Sequence, residues 1–254
     1  MRAIDHPRYW IEAGFDRRSP EWTDGAYPFN LPVLRGLHRL EFHPKVTFLV
    51  GENGSGKSTL IEALAVAWGF NAEGGSRNFN FETQATHSAL HRCIKPVKSP
   101  RRVYDGFFLR AESFYNVASQ IADLGVSGYG DVPLHDQSHG EAFFALFEER
   151  FRGRGLYILD EPEAALSPNR QLSFLARLHQ LVDQMESQLI IATHSPIILA
   201  YPDAWIYQAG EHGLERVEYE DTEHYTVTRS FLNRRQTYLD ILLEPDPRID
   251  EVKR

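Results

Sequence analysis

Short, almost uninterrupted apolar runs recur along the chain, each ending at a glycine or a polar residue. Val46-Thr47-Phe48-Leu49-Val50, Gly106-Phe107-Phe108-Leu109, Leu156-Tyr157-Ile158-Leu159 and Leu189-Ile190-Ile191-Ala192 show no apolar–polar alternation. Strands covered on both faces read this way, so each run predicts a buried parallel strand. Helical spacing predicts helices over 58–70, 113–123, 138–151, 169–185 and about 228–243. Leu31 to Phe42 reads as a further strand stopped by His43-Pro44, and 204–220 as a strand pair turning at Glu211-His212-Gly213. Residues 1–30, rich in Trp, Tyr, Pro and Gly, read as irregular. Residues 71–105 are dominated by Gly, Asn, Ser, Pro and basic side chains and read as an insertion, arm or mobile loop. Strands alternating with helices predict an α/β fold with a mostly parallel central sheet flanked by helices and an antiparallel β part. No repeat divides the 254 residues. The chain reads as one domain, with 71–136 a helical arm or lid and 209–254 a C-terminal extension.

Three of the strand ends carry chemistry. After Val50 comes Gly51-Glu52-Asn53-Gly54-Ser55-Gly56-Lys57-Ser58, a full match to G-x-x-x-x-G-K-[ST] between a strand and a helix. Glycines there let backbone N–H groups turn inward around phosphate oxygens, and the helix beginning beyond them, with Thr59 in its first turn, aims its positive end at the same anion. Lys57 is expected on the β- and γ-phosphates and Ser58 on Mg²⁺. The run 156–159 ends in Asp160-Glu161. Asp160 is expected to hold Mg²⁺ through water, and Glu161 to orient and deprotonate the attacking water. The run 189–192 ends in Thr193-His194-Ser195. His194 is placed to hydrogen-bond the γ-phosphate and sense its loss.

Taken in order, GENGSGKSTL, SHGE at 138–141, LYILDEPEAALSP and ATHSP resemble the ATP-binding-cassette ATPases, a branch of the P-loop and AAA-type ATPases. The resemblance covers roughly residues 31–208. It implies that Ser138 and Gly140 belong to a signature motif closing over nucleotide held by a second copy, and that Ala165-Leu166-Ser167 links the two sites. It also implies that Glu161 is the catalytic base and His194 the switch histidine. Transporter subunits usually carry LSGGQ and Thr-His-Asp or Thr-His-Glu, whereas this chain has QSHGE and Thr-His-Ser-Pro. Only about 80 residues without heptads separate the phosphate loop from the signature, so the long coiled coil of the chromosome-structure ATPases is missing. The nearest likeness is to short, soluble ATPases of this family. An ATP-driven dimerisation switch is the expected function, with a transporter's nucleotide-binding subunit or a DNA maintenance or defence ATPase as alternatives. The implied ligands are ATP and Mg²⁺. The implied partners are a second copy and an effector.

The family's glutamine loop should follow 106–110. No glutamine stands there, and Glu112, near Arg110, either takes that γ-phosphate-sensing role or makes a surface ion pair. Tyr27 and Phe29 are candidates for stacking on adenine, or for the core. His87, His91 and Cys93 have part of a zinc spacing but no fourth ligand, so zinc is not expected. His135 and His139 flank the signature, where His139 is expected near nucleotide or the second copy. The segment Asp221-Thr222-Glu223-His224-Tyr225 is dense in polar groups and reads as a helix cap or an approach to the site.

Composition narrows the rest. A formal charge of -8 argues against sequence-independent nucleic-acid binding. The local run Lys95, Lys98, Arg101 and Arg102 is the exception, and reads as either a contact face or a solvated loop. The single Cys93 excludes an internal disulfide and fits a reducing cytoplasm. No signal-peptide core or spanning run is present, so a soluble, cytoplasmic protein is expected.

Overall fold

The computed structural model describes residues 8–75, 88–110 and 139–244. In chain order the strands are β1 (Trp10–Phe15), β2 (Arg39–Glu41), β3 (Val46–Gly51), β4 (Ile94–Lys98), β5 (Asp105–Arg110), β6 (Gly155–Asp160), β7 (Gln188–Ala192), β8 (Ala204–Gly210) and β9 (Gly213–Val217). The helices are α1 (Lys57–Trp68), α2 (His139–Arg150), α3 (Pro168–His179), α4 (Pro196–Leu199), α5 (Glu223–Asn233) and α6 (Arg235–Leu242).

Six strands form the central sheet in the order β5-β6-β7-β3-β8-β9. All neighbours are parallel except β8 and β9, which form an antiparallel hairpin. Every residue of β3, β6 and β7 is buried, as the apolar runs predict. Their side chains divide with a period of two. Leu49, Leu156, Ile158 and Ile190 join the layer of α1, with Leu60, Ile61, Leu64 and Trp68. Val46, Phe48, Tyr157, Leu159 and Ile191 join that of α2 and α3, with Phe143, Phe147, Phe151, Phe174 and Leu178. The centre of the sheet is therefore covered on both faces, while the edge hairpin β8–β9 carries half-buried and exposed residues.

Three segments of the N-terminal part differ from the pattern-based reading. Residues 10–15, expected to be irregular, form β1, the middle strand of a three-stranded antiparallel sheet ordered β2-β1-β4. Leu31–Phe42, expected to be one strand, contains a 3-10 turn at Pro32–Leu34 and only the short β2. Residues 94–98, inside the span read as an insertion, are β4. Lys95 pairs with Asp16 at 2.6 Å, and Lys98 lies over the Trp68 ring at 4.2 Å. Two members of the basic run therefore have roles within the fold. The small sheet rests on α1, with Trp10 stacked on Trp68 at 5.1 Å. Gln188, wholly buried at the start of β7, locks the two sheets together. Its Oε1 accepts from the N–H groups of Tyr9 and Trp10, and its Nε2 donates to the carbonyls of Trp10 and His43. A buried amide with all these partners satisfied costs little to bury and fixes register.

The expected helix over 169–185 is α3 followed by a π-turn at Gln180–Gln184. The expected final helix is two helices, α5 and α6. His87, Glu112, His135 and Ser138 lie outside the described residues. His91 and Cys93 sit in a 3-10 turn, Ala89–Cys93, with Cys93 buried. Among the described residues no helix is long and apolar enough to cross a membrane.

His43 gives the fold an acid limit. Its Nδ1 accepts from the backbone N–H groups of Lys45 and Val46, so the ring proton sits on Nε2, 3.6 Å from Asp203 Oδ1. Burial lowers its pKa to about 4, against the opposing pull of Asp203. Between that value and the ordinary 6.5 the unfolded chain binds a proton that the folded chain refuses, so stability falls as pH drops through this window. The expected loss from this group approaches about 3 kcal/mol by pH 4. Urea unfolding of the parent and of His43→Gln at pH 7 and pH 4.5 measures it, and the variant should show the shallower pH dependence.

Candidate functional site

The carboxyl ends of β3, β7 and β6 lie side by side, because β7 pairs with both neighbours. This edge is where open α/β sheets bind ligands. The loop leaving β3 turns on glycines with positive φ: Gly51 at 147°, Gly54 at 82° and Gly56 at 97°. Glycine is required twice over at Gly51, where a Cβ would lie 2.8 Å from the Ala209 carbonyl, and at Gly56, where it would lie 2.9 Å from Val33. The loop delivers Lys57 as the first residue of α1.

Lys57 is only 4% exposed. Its ammonium donates to the carbonyls of Gly51 at 2.7 Å and Glu52 at 2.9 Å. Burial lowers its pKa, while Glu161, Asp160, Glu163 and Glu52 act the other way. A buried ammonium bonded to neutral carbonyls retains most of its charge for an anion. Ser55 Oγ, on the same loop, is buried without a hydrogen-bond partner among the described residues. Glycine-rich loop, helix N-terminus, held ammonium and spare hydroxyl together suit a polyphosphate.

Asp160 ends β6 with a side chain 5% exposed. Beside it in register is Arg110, whose Nε lies 3.7 Å from Asp160 Oδ2 and whose Nη1 lies 2.8 Å from Glu62 Oε2. Glu161 follows in the left-handed region at φ 52°, ψ 52°. A non-glycine residue there costs about 1 kcal/mol and is commonest where function requires it. Ser58 Oγ and the Asp160 carboxylate are hard oxygen donors, suited to Mg²⁺.

His194 stands at the end of β7 with Nε2 3.5 Å from Glu161 Oε1. Its loop is clamped by Glu163, which accepts from His194 N at 2.5 Å and from Thr193 Oγ1 at 2.7 Å. Ser195 Oγ caps α4 and donates to Gln171 Oε1 at 2.6 Å, and Gln171 Nε2 donates to the Leu166 carbonyl. The Ala165–Ser167 loop is thus joined by side-chain bonds to the His194 loop. Tyr27 is exposed, its hydroxyl 3.3 Å from Thr59 Oγ1, whereas Phe29 is buried against Trp22.

One contributor escaped the sequence reading, and another was named there only as part of a polar segment that caps a helix or approaches the site. Glu163 carried no motif of its own. His224, from the polar segment 221–225, hydrogen-bonds His194 at 3.0 Å. In the same segment Thr222 caps α5, accepting from Tyr225 N. A pocket of about 460 Å³ opens between Glu52, Asn53 and His194 on one side and Glu223, His224 and Val227 on the other. His139 and Gly140 are the first residues of α2, whose far end is anchored by Arg150 to Asp105 at 2.8 Å.

A parallel sheet, a glycine loop at a helix N-terminus and strand-end carboxylates define the class as a P-loop nucleoside triphosphatase. Comparison with known proteins narrows it. An AAA domain model matches residues 29–110, and an AAA ATPase domain model matches 82–199. A hemin import ATP-binding protein of Streptomyces coelicolor is 30% identical over 190 residues, 68% of this chain and 68% of that protein. A thiamine import ATP-binding protein of Vibrio cholerae is 24% identical over 208 residues, 76% of this chain and 79% of that one. Among solved structures, CbiO1 of Clostridium perfringens, part of the ABC transporter complex CbiONQ, superposes with a TM-score of 0.50 at 16% identity, covering 94% of this chain and 100% of that chain. The chain belongs to the ATP-binding-cassette-type ATPases and is an ATP-binding ATPase of that family.

Proposed function

We propose that the loop Gly51–Ser58, with Thr59, binds the triphosphate of ATP, and that hydrolysis there runs an association switch between two copies of the chain. The observation that carries the reading is the Lys57 ammonium, almost wholly buried and hydrogen-bonded to carbonyls rather than to a carboxylate. Backbone N–H groups and the α1 N-terminus surround the phosphates, Lys57 bridges the β- and γ-phosphates, and Tyr27 offers the exposed ring for adenine. Ser58 and Asp160 would hold Mg²⁺, which when bound would supply positive charge against the phosphate oxygens. Glu161 takes the proton from the attacking water, its carboxylate lying 3.5 Å from His194 Nε2. His194 donates to the γ-phosphate. Ser138 and Gly140 of a second copy close the other side of the nucleotide. The Leu166–Gln171–Ser195 hydrogen bonds tie that closure to the His194 loop.

Light scattering tests the switch. Glu161→Gln should be a monomer without nucleotide and a dimer in ATP and Mg²⁺, and the parent should return to monomer as ATP is consumed. A Glu161→Gln protein that stays monomeric in saturating ATP would refute it.

A second reading, the nucleotide-binding subunit of an importer, draws on the hemin and thiamine import proteins among the relatives. Recovery of the protein from native membranes with a permease, lost on deletion of that permease, would favour this reading. Within the basic run, a DNA-dependent role draws on the exposed Arg101 and Arg102. ATPase stimulation by DNA that fades with salt would be its signature.

A further inference from the structure

His194 and His224 form a pair whose proton arrangement follows from their surroundings. The rings lie 5.1 Å apart and share one hydrogen bond, between His194 Nδ1 and His224 Nε2. One of these nitrogens donates and the other accepts. The remaining nitrogens, His194 Nε2 and His224 Nδ1, are buried with no hydrogen-bond partner among the described residues. His194 Nε2 faces Glu161 Oε1 at 3.5 Å.

Two arrangements of the neutral pair exist. If His194 Nδ1 donates, its Nε2 lone pair points at a carboxylate oxygen, which is repulsive, and His224 Nδ1–H is a buried donor without an acceptor. If His224 Nε2 donates, His194 carries its proton on Nε2, facing the carboxylate, and the one orphan is a bare acceptor on His224. Buried unpaired donors are the rarer and costlier defect. The second arrangement therefore prevails. Burial, then His194 and Lys57, lower the His224 pKa, which agrees with a neutral His224. The ring is held from both ends of its segment: Thr222 caps α5, and Tyr219 Oη donates to the Pro196 carbonyl, next to the His194 loop.

We propose that His224 is a positioning residue that fixes His194 as its Nε2–H tautomer, so that the C-terminal helices supply part of the ATPase machinery. The inference rests on the reading of the site given above and deepens it. Without nucleotide the His194 Nε2–H faces Glu161; with ATP bound it is a ready donor to the γ-phosphate. Losing the His224 donor leaves His194 free to populate both tautomers and both ring orientations.

The test combines kinetics with ¹⁵N-histidine NMR on the full chain. His224→Leu should lower kcat roughly tenfold or more, the scale seen when a partner that orients a functional histidine is removed. KM for ATP should stay within about twofold, because nucleotide affinity is set elsewhere. His224→Gln, whose amide Nε2 offers a donor near the same place, should recover most of the turnover. The parent spectrum should show His194 as Nε2–H and the Leu variant a mixture. Parent-like kcat in His224→Leu, a Gln variant as slow as Leu, or an Nδ1–H His194 in the parent would each overturn the proposal. Lys57→Ala, run beside them, separates the two levels: if it keeps full nucleotide binding, the reading of the site fails, whatever His224 does.

Discussion

Lys57→Ala is expected to bind ATP roughly 10²–10³-fold more weakly than the parent, from the loss of charge-assisted hydrogen bonds worth about 1.5–3 kcal/mol each. The geometry explains the size. The ammonium is carried at the start of α1 and pinned by two carbonyls of its own loop, so little side-chain freedom remains to be lost on binding. Its surroundings hold the carboxylates of Glu52, Asp160, Glu161 and Glu163. With alanine at 57 those charges face the triphosphate unopposed. Isothermal titration with ATP and Mg²⁺ measures the effect, and unchanged affinity would remove the foundation of the proposed site. Lys57→Arg is not a rescue, since the longer, planar group does not fit the two-carbonyl pocket.

Glu161→Gln should reduce kcat by roughly 10²–10⁴, the range for losing a general base, while ATP binding is retained or tightened. The amide preserves shape and removes both the proton acceptor and a negative charge near the γ-phosphate. Single-turnover hydrolysis separates chemistry from release, and a burst as fast as the parent's would pass the role of base to another group. A companion variant probes the backbone. Glu161→Gly removes the side chain from a left-handed residue and should raise unfolding stability by about 1 kcal/mol while turnover is lost. Gain of stability with loss of activity would show that strain at this corner is retained for function, and a destabilised Gly variant would show that it is not.

Some of this protein is written in local sequence. The loop Gly51–Ser58 and the strand-end Asp160 were legible because each depends on a few consecutive residues: glycines free to take positive φ, a helix start, and a carboxylate that must follow a buried run. The buried strands β3, β5, β6 and β7 were legible for a related reason, since a strand covered on both faces has no polar side to interrupt it. The smaller sheet was not. β1 and β4 carry mixed patterns because one face is solvated and the other is held by distant partners, Trp68 and Gln188, that no window of adjacent residues contains. The division of 31–42 into a turn and a short strand has the same origin, as Val33 and Leu31 pack on Gly56 instead of pairing in a sheet.

Within the site, the sequence by itself determined which residue types stand at the strand ends, because that is set by the order of apolar runs and the residues closing them. Only the tertiary structure decided how they are held. Glu163 clamps a loop about thirty residues further along the chain, and His224 approaches His194 from a helix pair beyond the last strand. Hydrogen bonds between segments so far apart leave no periodicity or spacing in the chain, since their geometry exists only once the sheet has brought β6, β7 and α5 to one edge.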